Sequence, residues 1–202
     1  MNEHVTDFLS GPATTQAADG MPRRPWTIAE IEAVVRAGII AEDERFELIG
    51  GEVVPMSPKG ARHEMIKADL NEHLQRLGVD AVRIVPETTL RLDEVSFLEP
   101  DFCVFPRTIL PGDVRGYDVL LAIEIADTSL AYDRGRKLGV YAAYGIPEVW
   151  VVDAASLVTH VYRRLGAQGY GDAFDVGPNE EVVSSRVEAI RFCLARLGFE
   201  PR

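Results

Sequence analysis

The chain has 202 residues, of which 47% are hydrophobic and 26% charged, as is typical of one globular domain. Its formal net charge of -11 argues against nonspecific coating of nucleic acid, because polyphosphate would be repelled, yet it leaves room for a local basic groove. No apolar stretch approaches the roughly 20 residues of a membrane-spanning helix, and the polar N-terminus lacks the apolar run of a signal peptide. We therefore expect a cytoplasmic protein without a membrane partner.

The first quarter of the chain predicts a lead-in, a helix and a hairpin. We expect residues 1–25 to be flexible and residues 26–202 to form a single domain. Thr27 is a candidate N-cap for a helix whose apolar residues recur at helical spacing. Two short apolar runs on either side of Gly50 and Gly51 are typical of a β-hairpin.

The middle of the chain predicts a long helix followed by strands. The helix spans Ala61 to Leu77, and Gly78 is its expected stop. Three strand candidates follow, with the sequences AVRIVPE, TTLRLD and PDFCVF. After a loop rich in Pro, Gly and Asp, the run VLLAIEIA is apolar on both faces, as a covered central strand would be.

The last third predicts one more helix and a pair of strands. The helix LAYDRGRKLGVYAAYG ends at Gly145, where Pro147 enforces the stop. The strand PEVWVVD and its expected hairpin partner LVTHVYRR come next, before a turn-rich tail. This order predicts an α/β domain of mixed α+β character, in which a mixed central sheet is flanked by helices.

Two carboxylates lie inside apolar runs: Asp101 at the start of PDFCVF and Glu124 within LAIEIAD. If those strands are neighbours, the two side chains meet and form an oxygen site suited to Mg²⁺ or Mn²⁺. Such a cation would offset the cost of burying both charges. The plainer alternatives are that Asp101 caps a turn and that Glu124 pairs with an arginine. The two cysteines, Cys103 and Cys193, are too few for a structural zinc site, and Cys103 is expected to be a buried free thiol.

Metal-dependent sites of this kind often place a lysine two residues after the glutamate, where this chain has Ala126. On the following helix, Asp133, Lys137 and Tyr141 are spaced four residues apart and share one face. We therefore expect Lys137 to supply the missing ammonium, to polarise the attacking water or to stabilise the transition state. The alternative is a surface ion pair between Asp133 and Lys137.

Further candidates are weaker, because each has a ready explanation as a cap, a turn or a surface ion pair. The acidic and histidine side chains that could project into the same cleft or contact the metal's water shell are Glu47, His63, Glu87 and Asp133. The basic side chains that could contact a phosphate backbone beside the cleft are Lys59, Arg62, Arg134 and Arg136. Tyr141 and Trp150 are expected to pack in the core.

The segments RFELIGGEVVPMSPKGARHE, VPETTLRL, PDFCVF and the stretch from Glu124 to Asp153 together resemble the Uma-type family of putative restriction endonucleases, within the PD-(D/E)XK nuclease superfamily. The resemblance runs from about Trp26 to about Tyr170. The positions that match the family pattern in its most specific part are Glu124, Asp133, Lys137, Tyr141, Gly145, Glu148, Trp150 and Asp153. One departure is the segment ADTS, where the family usually has serine and proline.

This resemblance implies a restriction-endonuclease-like core with Asp101 and Glu124 as metal-binding acids and Lys137 as the displaced lysine. It favours a Mg²⁺- or Mn²⁺-dependent endonuclease that hydrolyses nucleic acid, with DNA as the expected substrate. A homodimer would suit double-strand cleavage. Two other hypotheses remain open: a nuclease-fold binding or structural module that does not cleave, and a metal-dependent hydrolase of a smaller phosphoester.

Overall fold

The computed structural model describes residues 24–202, in which the backbone forms twelve strands. The strands are β1 (Phe46–Ile49), β2 (Glu52–Pro55), β3 (Val82–Pro86), β4 (Leu90–Arg91), β5 (Phe97–Leu98), β6 (Phe102–Pro106), β7 (Leu121–Ala126), β8 (Val149–Asp153), β9 (Thr159–Gly166), β10 (Gly169–Val176), β11 (Val182–Val183) and β12 (Arg191–Phe192). Six of them form a mixed sheet in the order β10-β9-β8-β7-β6-β3. A second sheet has the order β2-β1-β5-β4, and β11 pairs with β12.

Within the described residues, three helical segments longer than one 3₁₀ turn accompany the sheets, together with three short 3₁₀ turns. Helix α1 spans Ile28–Arg36 and helix α2 spans Ala61–Arg76. The third follows β7 and consists of α3 (Leu130–Tyr132), a π-helical turn (Asp133–Lys137) and α4 (Leu138–Ala143). No described helix has the length and apolar character needed to cross a bilayer. The sequence predicted all three helices but not the π turn.

Local chemistry explains the first elements. The Thr27 hydroxyl accepts a hydrogen bond from the Glu30 amide, and the Glu30 carboxylate accepts one from the Thr27 amide, so the predicted cap is a complete capping box. The predicted hairpin of β1 and β2 turns at Gly50 and Gly51, which have φ of +59° and +79°. Glycine adopts this left-handed conformation without a steric penalty. A side chain at Gly51 would also collide with the backbone of Pro25.

The main sheet has a covered face on each side, as the apolar run of β7 predicts. On one face Ile66, Leu70 and Leu74 of α2 pack against alternate residues of the sheet, including Ile123 and Trp150. The other face is covered by α4 and by the second sheet. Every residue of β7 is buried, and β7 runs parallel to β8, with the third helical segment as the crossover between them.

Several shorter predictions are confirmed and one is corrected. Strands β8 and β9 are antiparallel neighbours, and Trp150 and Cys103 are fully buried, the latter as a free thiol. The candidate TTLRLD is reduced to the two-residue strand β4, which belongs to the second sheet and pairs with the unpredicted β5. The pairing of β4 with β5, and of β5 with β1 much earlier in the chain, decides these short strands. The predicted lead-in lies almost wholly outside the described residues.

Candidate active site

The pairing of β6 with β7 brings the two predicted carboxylates together. Phe102 is the partner of Ile123 and Cys103 of Ala122 in this antiparallel register. Continuing the register by one residue places Asp101, which directly precedes β6, level with Glu124 at the centre of β7. Asp101 and Glu124 are buried, and both line one cavity of about 290 Å³.

The Asp101 carboxylate is held from three directions. Its Oδ2 accepts a hydrogen bond from the Ile125 amide at 2.8 Å and lies 3.0 Å from Nε2 of His63, the third residue of α2. Its Oδ1 accepts a hydrogen bond from the Lys59 ammonium at 2.9 Å. Burial acts to raise the pKa of Asp101, but His63, Lys59 and the amide outweigh burial and lower the pKa to about 2. Asp101 is therefore an ionised, oriented carboxylate.

Lys137 lies in the π turn, and its side chain extends to the carboxylate of Glu124. Its Nζ lies 2.9 Å from Oε1 of Glu124 and 2.8 Å from Oε1 of Glu47. Burial acts to lower the pKa of Lys137, but the carboxylates of Glu124, Glu47 and Asp133 outweigh it and hold the pKa well above its ordinary value. The side chains of Lys137 and Asp133 are both buried, so the alternative of a surface ion pair is wrong.

Tyr141 takes part in the site, although the sequence predicted only a core aromatic residue. Its ring is fully buried, and its hydroxyl donates a hydrogen bond to Oε1 of Glu124. Burial and the nearby carboxylates raise the pKa of Tyr141 well above its ordinary value, so the hydroxyl keeps its proton as a donor. Sequence spacing places Tyr141 one turn beyond Lys137 on the face that the lysine presents to Glu124, which is the signal that was available.

Glu124 is surrounded by more acidic side chains than basic ones. Burial and the carboxylates of Asp133, Asp101 and Glu47 raise its pKa to about 8, against the opposing effect of Lys137. Both donors, Lys137 and Tyr141, contact Oε1. No described residue donates a hydrogen bond to Oε2 of Glu124, which makes it a buried carboxylate oxygen without a donor.

The secondary candidates Glu47 and Asp133 also line the cavity. Glu47, in β1, accepts hydrogen bonds from the Tyr132 hydroxyl at 3.0 Å and from the Glu99 amide at 3.1 Å. Asp133 accepts a hydrogen bond from the Ser129 hydroxyl. Burial is the main cause of a raised pKa for Asp133. The second sheet thus contributes Glu47 to a site that is built mainly on the first.

Glu87 lies beside the cavity and not among the residues that line it. Its carboxylate contacts the ammonium groups of Lys59 and Lys67 and lies 3.5 Å from the Arg45 guanidinium. Burial acts to raise the pKa of Glu87, but the two lysines outweigh it and lower the pKa to about 2. Glu87 has φ of +50°, which is unusual for a residue other than glycine.

The three arginine candidates for nucleic-acid contact are separately tethered. Arg62 donates to the backbone carbonyls of Ala154 and Glu200, neither of which lines the cavity. Arg134 donates to the Tyr162 hydroxyl, and Arg136 to the Glu52 carboxylate. Of the basic candidates, Lys59 alone lines the cavity.

Asp127, in the segment that departs from the family pattern, also lines the cavity. No described residue hydrogen-bonds its carboxylate, so Asp127 does not cap the helix that follows. Its Oδ2 lies where a side chain on Gly60 would begin, 2.5 Å from the position of an added Cβ. Because Gly60 has no side chain, the Asp127 carboxylate can lie beside the first turn of α2.

The charge of the cavity suits a cation. Six carboxylates line it, and the two ammonium groups of Lys59 and Lys137 offset only part of their charge. The carboxylates are Glu47, Glu99, Asp101, Glu124, Asp127 and Asp133. Hard oxygen donors of this kind favour Mg²⁺ or Mn²⁺, and the donor-free Oε2 of Glu124 is one ready ligand atom. Within residues 24–202, no three Asp, Glu, His or Cys side chains are already arranged around a metal position.

Comparison with known proteins identifies a family and solved structures of similar fold. The Uma2 model, described as a putative restriction endonuclease, matches residues 31–194. A crystal structure of a putative nuclease belonging to DUF820 from Anabaena variabilis is similar in fold, with a TM-score of 0.62 and 16% sequence identity. The similarity covers 86% of this chain and 97% of that one. No curated protein matches the chain.

Proposed function

This chain belongs to the Uma2 putative restriction endonuclease family, and we propose that it is a metal-dependent endonuclease in which Asp101, Glu124 and Lys137 form the active site. The family supports a nuclease, and the fold that it shares with the Anabaena variabilis protein is consistent with one. The metal, the substrate and the residue roles are parts of the proposal.

One observation carries the proposal: a buried ammonium is joined to a buried carboxylate in a cavity that a second carboxylate lines. Lys137 lies 2.9 Å from Glu124, and Asp101 is level with Glu124 on the neighbouring strand. Burying these charges is costly for the fold, so their presence in one cavity favours a functional origin. The lysine comes from the helix after β7 and not from β7 itself, as the sequence spacing predicted.

Asp101 and Glu124 are the residues proposed to hold Mg²⁺ or Mn²⁺, through Oδ1 and Oε2 respectively. When bound, such a cation polarises a phosphoryl oxygen and lowers the pKa of a bound water molecule. The acidic cavity also needs a cation before a phosphodiester can enter, because ionised carboxylates in its lining, such as Asp101, would repel the phosphate. Metal binding should therefore precede productive substrate binding.

The remaining groups position the two proposed metal-binding acids or stabilise the negative charge that develops on the phosphate. Lys137 keeps its proton, so it acts as a fixed positive charge that stabilises the negative charge developing on the phosphate, and not as a base. His63 and the Ile125 amide orient Asp101, while Tyr141 fixes one oxygen of Glu124. Each of these three donors is a positioning group.

We propose DNA as the substrate and a cytoplasmic setting for the reaction, with two chains acting as a homodimer on double strands. Affinity for the backbone should be modest and should fall steeply with salt, because the chain carries a formal net charge of -11. The lysines that line the cavity are Lys59 and Lys137, and Lys67 lies beside it through its contact with Glu87.

The test is a cleavage assay on plasmid and oligonucleotide substrates at low salt with Mg²⁺ or Mn²⁺. We expect metal-dependent cutting by the wild type and losses of at least about 10³-fold in Asp101→Asn and Lys137→Met. Asp153→Asn is the matched control, because Asp153 ends the neighbouring strand β8 and hydrogen-bonds only local groups, the Ala155 amide and the Ser156 hydroxyl. Its cutting should be close to that of the wild type.

Each alternative gives a distinct result in the same assay. Cutting that survives Asp101→Asn would assign the activity to another site or to a contaminant. No cutting by folded wild type, with metal still bound, would favour the non-cleaving module. Hydrolysis of a small phosphodiester in the absence of nucleic-acid cutting would favour the smaller-phosphoester hydrolase.

A further inference from the structure

The two oxygens of Asp101 are held in different ways. Oδ2 is bound by the Ile125 amide of β7 at 2.8 Å and lies 3.0 Å from His63 of α2, so parts of the regular fold fix it. Oδ1 is bound by Lys59 at 2.9 Å, and Lys59 belongs to the segment between β2 and α2. The oxygen available for a metal ion is therefore the one that a loop ammonium now occupies.

Lys59 has a second carboxylate within reach. Its ammonium also contacts Glu87, whose side chain is 37% exposed, whereas that of Asp101 is 6% exposed. The ammonium thus bridges the buried metal-site acid and an acid nearer the surface. If it left Asp101 it would keep Glu87 as a partner, so no lysine would be left unpaired.

Lys137 differs from Lys59 both in the element that carries it and in the exposure of its partners. Its side chain is 4% exposed, and it extends from a helical turn between two buried acids, Glu47 and Glu124. Neither partner offers a position closer to solvent, because their side chains are 2% and 5% exposed. Lys137 is therefore the fixed ammonium of the cavity, and Lys59 is the one that can move.

We propose that Lys59 is an internal cation that exchanges with the metal ion: it occupies Oδ1 of Asp101 in the metal-free protein and retreats to Glu87 when a divalent cation binds. This inference rests on the proposed metal site at Asp101 and Glu124. An ammonium and a divalent cation repel each other strongly at hydrogen-bonding distance from one oxygen, so they compete for it. Because Lys59 keeps its ion pair with Glu87 after leaving Asp101, the exchange costs little free energy.

The exchange accounts for two features of the site. The first is that each proposed metal-binding acid already has an ammonium partner: Lys59 contacts Asp101 and Lys137 contacts Glu124. The second is the position of Glu87 at a positive φ beside the cavity, where it faces Lys59 without lining the metal site. Both features make the affinity for metal depend on where one lysine side chain lies.

The test measures Mn²⁺ binding to the whole chain without nucleic acid, by the loss of the free-ion electron paramagnetic resonance signal. We expect Lys59→Met to bind Mn²⁺ about tenfold more tightly, since the competing ammonium is removed. Glu87→Gln should bind about tenfold more weakly, because Lys59 loses its retreat partner and stays on Asp101. The two substitutions act in opposite directions on residues that do not themselves bind the metal.

Lys67→Met is the matched control, because Lys67 contacts Glu87 at 2.9 Å but makes no contact with Asp101. Its Mn²⁺ affinity should stay within about twofold of the wild type. Circular dichroism and thermal unfolding identify any variant that fails to fold, and Lys59→Gln then replaces Lys59→Met.

The outcomes separate this inference from the proposed function. Unchanged or weaker binding by folded Lys59→Met, with clear binding by the wild type, would overturn the exchange while leaving the metal site intact. Tighter binding by Glu87→Gln would also overturn it. Absence of Mn²⁺ binding in every folded variant, with Asp101→Asn no different from the wild type, would overturn the proposed metal site itself.

Discussion

Two buried glutamates on neighbouring parallel strands show how differently one residue type can be used. Glu124 lies in β7, and Glu148 directly precedes β8 on the opposite face of the sheet, the face covered by the C-terminal strands. Glu148 accepts hydrogen bonds from the Trp150 indole at 2.9 Å, the Ser184 hydroxyl at 3.1 Å, and the Ser185 amide and hydroxyl, both at 2.9 Å. Neutral donors therefore satisfy both of its oxygens.

Glu124 is satisfied on one oxygen only, and other carboxylates surround it. A buried carboxylate with a full set of neutral donors holds structure together, whereas one with a donor-free oxygen facing a cavity can bind something else. The comparison teaches that burial does not distinguish a structural acid from one proposed to bind a metal. The hydrogen-bond donors that contact each carboxylate oxygen make that distinction.

The largest expected difference is in catalysis. We expect Glu124→Gln to lower cleavage by at least about 10³-fold, because it removes a proposed metal ligand, while Glu148→Gln keeps cleavage within a few-fold of the wild type. The measurement is initial rate on an oligonucleotide, at a temperature where both variants are folded. Equal losses in the two variants would remove the distinction between the two acids.

The next effect is on stability. Glu148→Gln should lower the free energy of unfolding by about 2–3 kcal/mol, because the amide NH₂ replaces one of the two accepting oxygens and leaves either the Trp150 indole or the Ser185 donors without an acceptor. Urea unfolding, with the slope compared to that of the wild type, measures the change. A variant as stable as the wild type would mean that Glu148 is not a structural acceptor.

The same substitution at Glu124 should have the opposite sign. In metal-free protein near pH 9, Glu124→Gln should raise the free energy of unfolding by about 1–2 kcal/mol, because it removes a buried charge that lies among like charges. Lys137 retains Glu47 as a partner in that variant. A loss of stability would show that the ion pair of Glu124 with Lys137 outweighs the repulsion.

The pH dependence sharpens this prediction. The pKa of Glu124 is raised from 4.5 to about 8 in the folded protein, so between these values the folded state holds a proton that the unfolded state has released. This glutamate should therefore make metal-free wild type less stable as the pH rises from 4.5 to 8. Urea unfolding at several pH values should show a smaller fall in Glu124→Gln than in the wild type, and matching profiles would contradict the raised pKa.

The smallest expected effect separates a buried tyrosine, Tyr141, from a partly buried one, Tyr170. Tyr141→Phe removes a donor to Glu124 and should lower cleavage about tenfold, with a loss of about 1 kcal/mol in stability. Tyr170→Phe is the control, because its hydroxyl donates to the backbone carbonyl of Ile146 at 2.8 Å, outside the cavity lining. The control should lose similar stability and retain cleavage, and a similar loss of cleavage in both variants would assign Tyr141 a purely structural role.

The parts of this molecule that could be predicted from its sequence depend on local patterns. The cap at Thr27, the glycine turn of the first hairpin and the doubly buried strand β7 follow from residues close to one another in the chain. The reach of Lys137 to Glu124 was predictable because strand and helix are consecutive and a lysine stem is long. Short separations in sequence leave few alternatives to consider.

The parts that could not be predicted depend on partners far apart in the chain. Tyr141 is an exception, only 17 residues from Glu124: its sequence context is that of a core residue, and its role appears only in the contact of its hydroxyl with Glu124. The tether of Arg62 to the carbonyl of Ala154 joins residues 92 positions apart. The π turn has no clear signature in the sequence DRGRK, whose spacing is equally typical of an ordinary helix.

The C-terminal strands have a consequence for anyone who wishes to shorten the protein. A fragment that ends at Val176 would retain every proposed catalytic residue, yet it would lose Ile190, Phe192 and Phe199, which pack on the sheet beside Trp150. It would also leave the Glu148 carboxylate without its serine donors. Such a fragment would expose an apolar surface and aggregate, so the smallest workable nuclease extends through Phe199.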